Sequence, residues 1–230
     1  ALRNQTIFIA DGHHRYETAM KYRDQVNLSK DIVSGEDGHN FTMMCLVELK
    51  DHGIQIRAFH RLLYSLSSDN FNQLENKISK IFHTEKFDLP KMSTTSISNI
   101  IADLDSDTSG KMKLAMYIKE QRQVLILTLK DGLSLASAKN APIRDLYECN
   151  TWLLHQELLS DETEISNRSI RFSHNSEEIV GELETGSCQA VILLPAIERG
   201  VFESVIRKGH RLPPKSTYFY PKIPSGIVIN

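Results

Sequence analysis

The stretch Ile9-Ala10-Asp11-Gly12-His13-His14-Arg15-Tyr16-Glu17-Thr18-Ala19 constrains this chain more than any other part of it. Thr6–Ala10 reads as a strand that delivers the backbone to Asp11-Gly12, where glycine permits a tight turn and the close approach of a ligand. From about His13 to Val26 the pattern is helical, with Tyr16, Ala19, Met20 and Arg23 on one face. That order sets the open N–H groups and positive dipole end of a helix at the turn, which favours an anion. Asp11 can cap the helix or orient a histidine. His13, His14 and Arg15 add donors, and a guanidinium can grip a phosphate with two bonds. A blander reading uses the same residues: Asp-Gly is a common turn, Asp a common cap, and histidines can simply satisfy backbone carbonyls. His13 or His14 with Glu17 has helical spacing for a metal but lacks the second histidine of the zinc-protease pattern, so no metal is assigned.

Downstream, Ser29–Asn40 reads as a mobile loop carrying Gly35 and Gly38. Phe41–Leu49 and Gln55–Ala58 flank Asp51-His52-Gly53 as a hairpin would. Asp69 is placed as the cap of a helix with Phe71, Leu74, Ile78 and Ile81 at helical spacing, and Ile97–Leu104 reads as another helix. Lys113–Ile118 and Val124–Leu129 form a second hairpin pattern. Pro142 opens a helix reaching Leu159, with Trp152 and Leu153 inside it. A closing β-α-β-α series follows: Ser169–Ser173, Ser176–Leu183, Gln189–Leu194 and a helix ending at Gly209. The class expected is α+β, with mixed sheet hairpins and packed helices, and the sub-boundary is placed near residues 131–141.

The second chemical signal is Arg211-Leu212-Pro213-Pro214-Lys215-Ser216-Thr217-Tyr218-Phe219-Tyr220-Pro221-Lys222. Prolines stiffen it. Lys215, Ser216 and Thr217 suit a phosphate, and Tyr218 or Tyr220 suits stacking on a base. Equally, Tyr218, Phe219 and Tyr220 read as an edge strand, with Lys215 and Lys222 solvated. His60-Arg61 is a weaker candidate, since such a pair is usually surface or helix-start chemistry, and His210 beside Gly209 reads as closing a helix C-terminus. The Asp103–Asp107 cluster reads as a solvated helix end. No Walker loop, dinucleotide glycine pattern or nucleophile elbow occurs.

Bulk composition narrows the classes further. With 27 basic and 29 acidic residues the net charge is −2, which argues against a nucleic-acid partner, and no apolar run has the length of a membrane span. Cys45, Cys149 and Cys188 lie far apart without metal-ligand spacing and read as free thiols of a cytoplasmic protein.

At these residues the chain resembles a known family. The run over 9–19 is similar to the hallmark of a bacterial and archaeal family filed as domain of unknown function (DUF) 1015. Pro-Pro-Lys-Ser-Thr-Tyr-Phe-Tyr-Pro-Lys at 213–222, followed by Ser225-Gly226, resembles its other hallmark, and His60-Arg61-Leu62-Leu63 falls where such proteins carry a similar segment. The resemblance implies that residues 1–230 are a single α+β fragment, the C-terminal portion of a longer protein.

The Asp-Gly-His-His-Arg motif is also similar to one in the ParB/sulfiredoxin-like superfamily, which includes free-serine kinases. That likeness implies a strand-turn-helix at the N-terminus, Gly12 and Arg15 on nucleotide phosphates, and Asp11, His13 and His14 around a transferred group. ATP or ADP with Mg²⁺ is the implied ligand. Histidines stand where sulfiredoxin has its cysteine, which argues against peroxiredoxin repair, and the kinases' base carboxylate lies upstream of the motif. The functional expectation is therefore a nucleotide- or phosphate-binding protein, part of a small-molecule kinase. The alternative is a non-catalytic module that binds a ligand or a protein.

Overall fold

The computed structural model describes residues 4–30, 34–131, 144–159, 165 and 169–223. The class is α+β, as expected. The chain divides into two compact units, one comprising Ala1–Gln55 with Phe219–Asn230 and the other Ile56–Tyr218. It passes between them within two short strands, β1 (Gln55–Arg57) and β8 (Tyr218–Tyr220). Most of residues 131–141, where the sequence placed a sub-boundary, lies outside the described residues, as does Pro142.

The larger unit is built on a six-stranded sheet. Its strands are β2 (His60–Tyr64), β3 (Phe82–Asp88), β4 (Lys113–Ile118), β5 (Gln123–Leu129), β6 (Ile170–Ser173) and β7 (Cys188–Leu193), in the order β3-β5-β4-β7-β2-β6. All five pairings are antiparallel. The expected β4–β5 hairpin is present, with Ile118 opposite Gln123 beside its turn. The inner strands β2, β4 and β7 are almost wholly buried.

Alternation along each strand then sends neighbouring residues into two separate cores. Leu63, Leu114, Met116, Leu127 and Ile192 join one core, with Leu74 and Ile78 of α2 (Ser68–Ile81). Leu62, Ala115, Tyr117, Val191 and Leu193 join the other, with Ile97 and Leu104 of α3 (Thr94–Asp105). The first core also takes α4 (Asn150–Leu153), its π-helical continuation Leu154–Leu158, and α6 (Arg199–Arg207). The second takes Ile179 and Leu183 of α5 (Ser176–Thr185).

Several local expectations are corrected. The cap of α2 is Ser67, whose hydroxyl accepts from the Asn70 N–H while the Asn70 side chain accepts from Ser67 N; Asp69 lies in the first turn instead. The segment reaching Leu159 is not one α-helix. It begins as a 3₁₀ turn, Arg144–Glu148, and its last part is π-helical. The expected closing of α6 at Gly209-His210 is present and is made by the backbone: the His210 N–H donates to Val205 O while Gly209 N, at φ +76°, donates to Ile206 O, which is a Schellman end. Within the acidic cluster Asp105 is not merely solvated, because its carboxylate accepts the Ala196 N–H at 3.0 Å.

In the smaller unit α1 (His13–Leu28) follows the Asp11-Gly12 turn as expected. Two expected strands, Thr6–Ala10 and Phe41–Leu49, belong to neither sheet. Their apolar residues favour β structure, but a strand exists only where a neighbour takes up its backbone groups in a ladder. Ile7, Phe41, Met43 and Met44 are each more than half exposed. The turn between the expected hairpin arms does form, with Asp51 Oδ1 accepting from Gly53 N at 2.7 Å. Within the Ser29–Asn40 segment, Gly38–Asn40 make a 3₁₀ turn and Asn40 Nδ2 donates to Ser34 O. No helix among the described residues is long and apolar enough to cross a membrane.

Candidate functional site

The first candidate is the turn that starts α1. Gly12 sits in the left-handed region at φ 78°, ψ 23°, where a side chain would be strained, and its carbonyl accepts from Tyr16 N at 3.0 Å. No side chain caps the helix, so Asp11 does not take the capping role open to it. Instead its carboxylate pairs with Lys222 Nζ at 3.0 Å and approaches Arg15 Nη2 at 3.9 Å.

Arg15 folds back over the glycine, with Nη2 only 3.1 Å from where a Gly12 Cβ would stand. A larger residue at 12 would therefore displace the guanidinium. Partial burial pushes the Asp11 carboxyl upward, but Lys222, the Gly12 N–H and Arg15 outweigh it and hold its pKa below the ordinary value. His13 and His14 are exposed, and His14 Nδ1 lies 3.7 Å from Glu17 Oε2. Asp11 thus touches Lys222, the last residue of the second motif.

The second candidate lies in the larger unit. His60 and Arg61 are not surface residues: they open the inner strand β2, and their exposures are 4% and 0%. His60 Nδ1 accepts from Leu194 N at 3.2 Å. Burial, with repulsion from Arg61 and His174, lowers the His60 pKa to about 4. Arg61 Nη1 donates to Phe59 O at 2.5 Å, Nη2 lies 3.3 Å from His155 Nε2, and the guanidinium rests over the Phe172 ring at 4.9 Å. Its Nε has no hydrogen-bond partner. No carboxylate pairs with this buried cation among the described residues, and burial lowers it to about 10.

Phe59 links this pair to the Lys-Ser-Thr-Tyr segment. Lys215 Nζ stands over its ring at 4.9 Å, and the rings of His174 and Tyr218 meet it edge-on at 5.5 and 5.7 Å. His174 and Tyr218 stack on each other at 3.7 Å. Lys215 adopts φ +58° in an exposed turn, whereas Ser216 is buried and donates to Pro213 O at 2.6 Å. Ser216 therefore holds the turn, Thr217 is half-buried, and Phe219 is the buried residue of the short strand.

Lys215 also lines a cavity of about 370 Å³ with Arg171, Ser173, Glu178, Glu182 and Tyr64. The buried Tyr64 hydroxyl lies near Glu182 without bonding to it. Sequence reasoning missed Phe59, His155 and His174, since none stands in a motif; His155 comes from the π-helical segment and His174 follows β6, both far from His60-Arg61 in sequence. Cys149 and Cys188 are buried free thiols and Cys45 is exposed. Among the described residues no three His, Cys, Asp or Glu side chains converge as a metal site.

Among solved structures, a conserved hypothetical protein from Pyrococcus furiosus is similar over 94% of this chain and 71% of its own, at 14% identity and a TM-score of 0.45. A free serine kinase in complex with AMP is similar over 95% and 70%, at 11% identity and a TM-score of 0.44. A variant of a free serine kinase in complex with ADP matches over the same shares, at 12% identity and a TM-score of 0.44. No curated protein sequence matches the chain. The model of the family described as "Protein of unknown function (DUF1015)" matches residues 1–151, and the chain belongs to that family.

Proposed function

We propose that the Asp11–Arg15 turn binds the phosphate of a nucleotide, and that the protein is part of a small-molecule kinase of the free-serine type. The observation that carries this reading is the αL turn at Gly12. It sets the uncapped N-terminus of α1 beside Arg15, which is already folded over the glycine, with Lys222 paired to Asp11. Three sources of positive potential thus surround one small backbone turn. An arriving phosphate takes Arg15 and the first N–H groups of α1, while His13 and His14, both exposed, stand at the same end of the helix to orient an acceptor. Lys215 and Thr217 are assigned to the same ligand class, with Ser216 supporting their turn. ATP or ADP brings Mg²⁺ as its own complex.

A second reading is a module that binds without turnover. The state of Asp11 favours it, because an ion-paired carboxylate with a lowered pKa is a weak general base.

Thermal unfolding against ATP, ADP, CTP and GTP with Mg²⁺, beside Arg15→Ala, tests the binding. A nucleotide at about 100 times its Kd adds about 2.7 kcal/mol, and this gain is expected to vanish in Arg15→Ala. No stabilisation by any nucleotide rejects the reading. Phosphoserine formed from ATP and serine supports the kinase; binding with no product leaves the module.

A further inference from the structure

A cavity of the larger unit lies apart from both candidate sites, sharing no lining residue with the Asp11–Arg15 turn or the His60-Arg61 pair. It encloses about 500 Å³ and lies among the β4–β5 turn, the segment before α3 and the loop from α5 to β7. Its apolar wall includes Phe71, Met92, Tyr117 and Leu183, the last three almost fully buried. Its cationic rim is Lys91, Lys119 and Arg122. Lys91 is neutralised by Glu184 at 2.8 Å. Lys119 and Arg122 pair with no carboxylate among the described residues.

Two backbone features tie these cations to the cavity. Arg122 closes the hairpin turn, its N–H donating to Lys119 O at 3.2 Å, and it does so at φ +53°. Glycine is the residue that fills such a left-handed position without cost, so an arginine there stores strain that its side chain must justify. Gly186, also lining the cavity, has φ +88°, and a Cβ on it would stand 3.7 Å from Lys119 Nζ. The Lys119 ammonium therefore lies within van der Waals reach of this turn at the mouth. The walls are anchored: Lys119 N donates to Gln189 O, and the Gln189 amide both accepts from Leu66 N and donates to Leu66 O. Leu89 N donates to Arg122 O at 2.8 Å, fixing the segment before α3 to the same turn.

We propose that this cavity is a binding site for a small organic phosphate, its anion held by Lys119 and Arg122 and its apolar or aromatic body packed against Phe71, Met92 and Tyr117. A cavity of this size, largely preformed and combining an apolar wall with a few convergent polar groups, matches the usual anatomy of a small-molecule site. Glu120 also lines the cavity but is not paired with either cation, so an anion there meets two cations without an ion-pair partner among the described residues. The site is independent of the Asp11–Arg15 turn.

The test uses 1-naphthyl phosphate in calorimetric titration of the 230-residue chain, beside inorganic phosphate and 1-naphthol, the two halves of the probe. Binding at least tenfold tighter than either half is expected, weakened at least fivefold by Lys119→Ala and by Arg122→Gly. Because glycine relaxes the strained turn, Arg122→Gly should also unfold at an equal or higher temperature, separating lost binding from lost folding. Unchanged affinity in both variants overturns the proposal, as does a probe that binds no better than 1-naphthol. Binding abolished by Arg15→Ala but untouched by Lys119→Ala would place the probe on the turn of the smaller unit and likewise overturn it.

Discussion

His60, buried, and His155, half-buried, both feel the Arg61 charge, and their titration sets a pH dependence. His60 and His155 are both lowered from 6.5 to about 4, by burial first and then by the Arg61 charge. Above pH 6.5 both rings are neutral whether the chain is folded or not. As pH falls below 6.5 the unfolded chain takes up protons that the folded one refuses. Stability is therefore lost between about pH 6.5 and 4, at up to ~1.4 kcal/mol per pH unit for each histidine. Urea unfolding at pH 7, 6 and 5 should show this slope, and His155→Leu should remove up to half of it. An undiminished slope would mean that His155 is protonated in the fold. The sequence displayed His60-Arg61 as a pair but hid its environment. Two polar residues at the head of an apolar run resemble a surface start, and only the antiparallel pairing of β2 with both β6 and β7 encloses them.

Helices were more legible than strands because their signals are local. Hydrophobic spacing located α2, α3 and α5, and α3 is capped by Ser93, which accepts from Ser96 N at 3.1 Å. Strand β2 was overlooked because it is buried on both faces and so shows no alternation; β3 because only Phe82 of its seven residues is buried. Capping separates the helices into two kinds. Asn175 Oδ1 accepts from Glu177 N at 2.8 Å and from Glu178 N at 3.4 Å, whereas α1 starts on a glycine with no side-chain cap. α4 and α6 also lack a side-chain cap but pack into the first core, whereas α1 buries no residue and keeps its N–H groups open at the candidate phosphate turn. Asn175→Ala and Ser93→Ala should each cost about 1 kcal/mol, read as a lower urea midpoint with an unchanged slope. A loss below ~0.3 kcal/mol in both would mean that water replaces the caps and that α3 and α5 are held by packing alone.

The two units differ sharply in what they bury. The larger one encloses both cores, with Leu63, Leu114, Leu127 and Ile192 fully or almost fully shielded. In the smaller one no described residue from 4 to 55 is buried, and α1 has only a half-buried face along Tyr16, Ala19 and Arg23. Nothing in the residues themselves announces this division, because the apolar residues of Thr6–Ala10 and Phe41–Leu49 look like core material until their pairing is known. Protection of a backbone amide follows the free energy of opening it, which follows the apolar surface that opening exposes. Native-state hydrogen exchange should therefore find the slowest amides in β2, β4 and β7, exchanging at the rate of global unfolding. Amides of α1 should open at least 100-fold more readily, because a helix of its length without buried contacts is marginal in water. Adding the nucleotide proposed for the Asp11–Arg15 turn should then slow α1 selectively and leave the central strands almost unchanged. Equal protection in α1 and β4 without ligand would show instead that the smaller unit opens only with the whole molecule, and that its half-buried face is worth far more than its exposure implies.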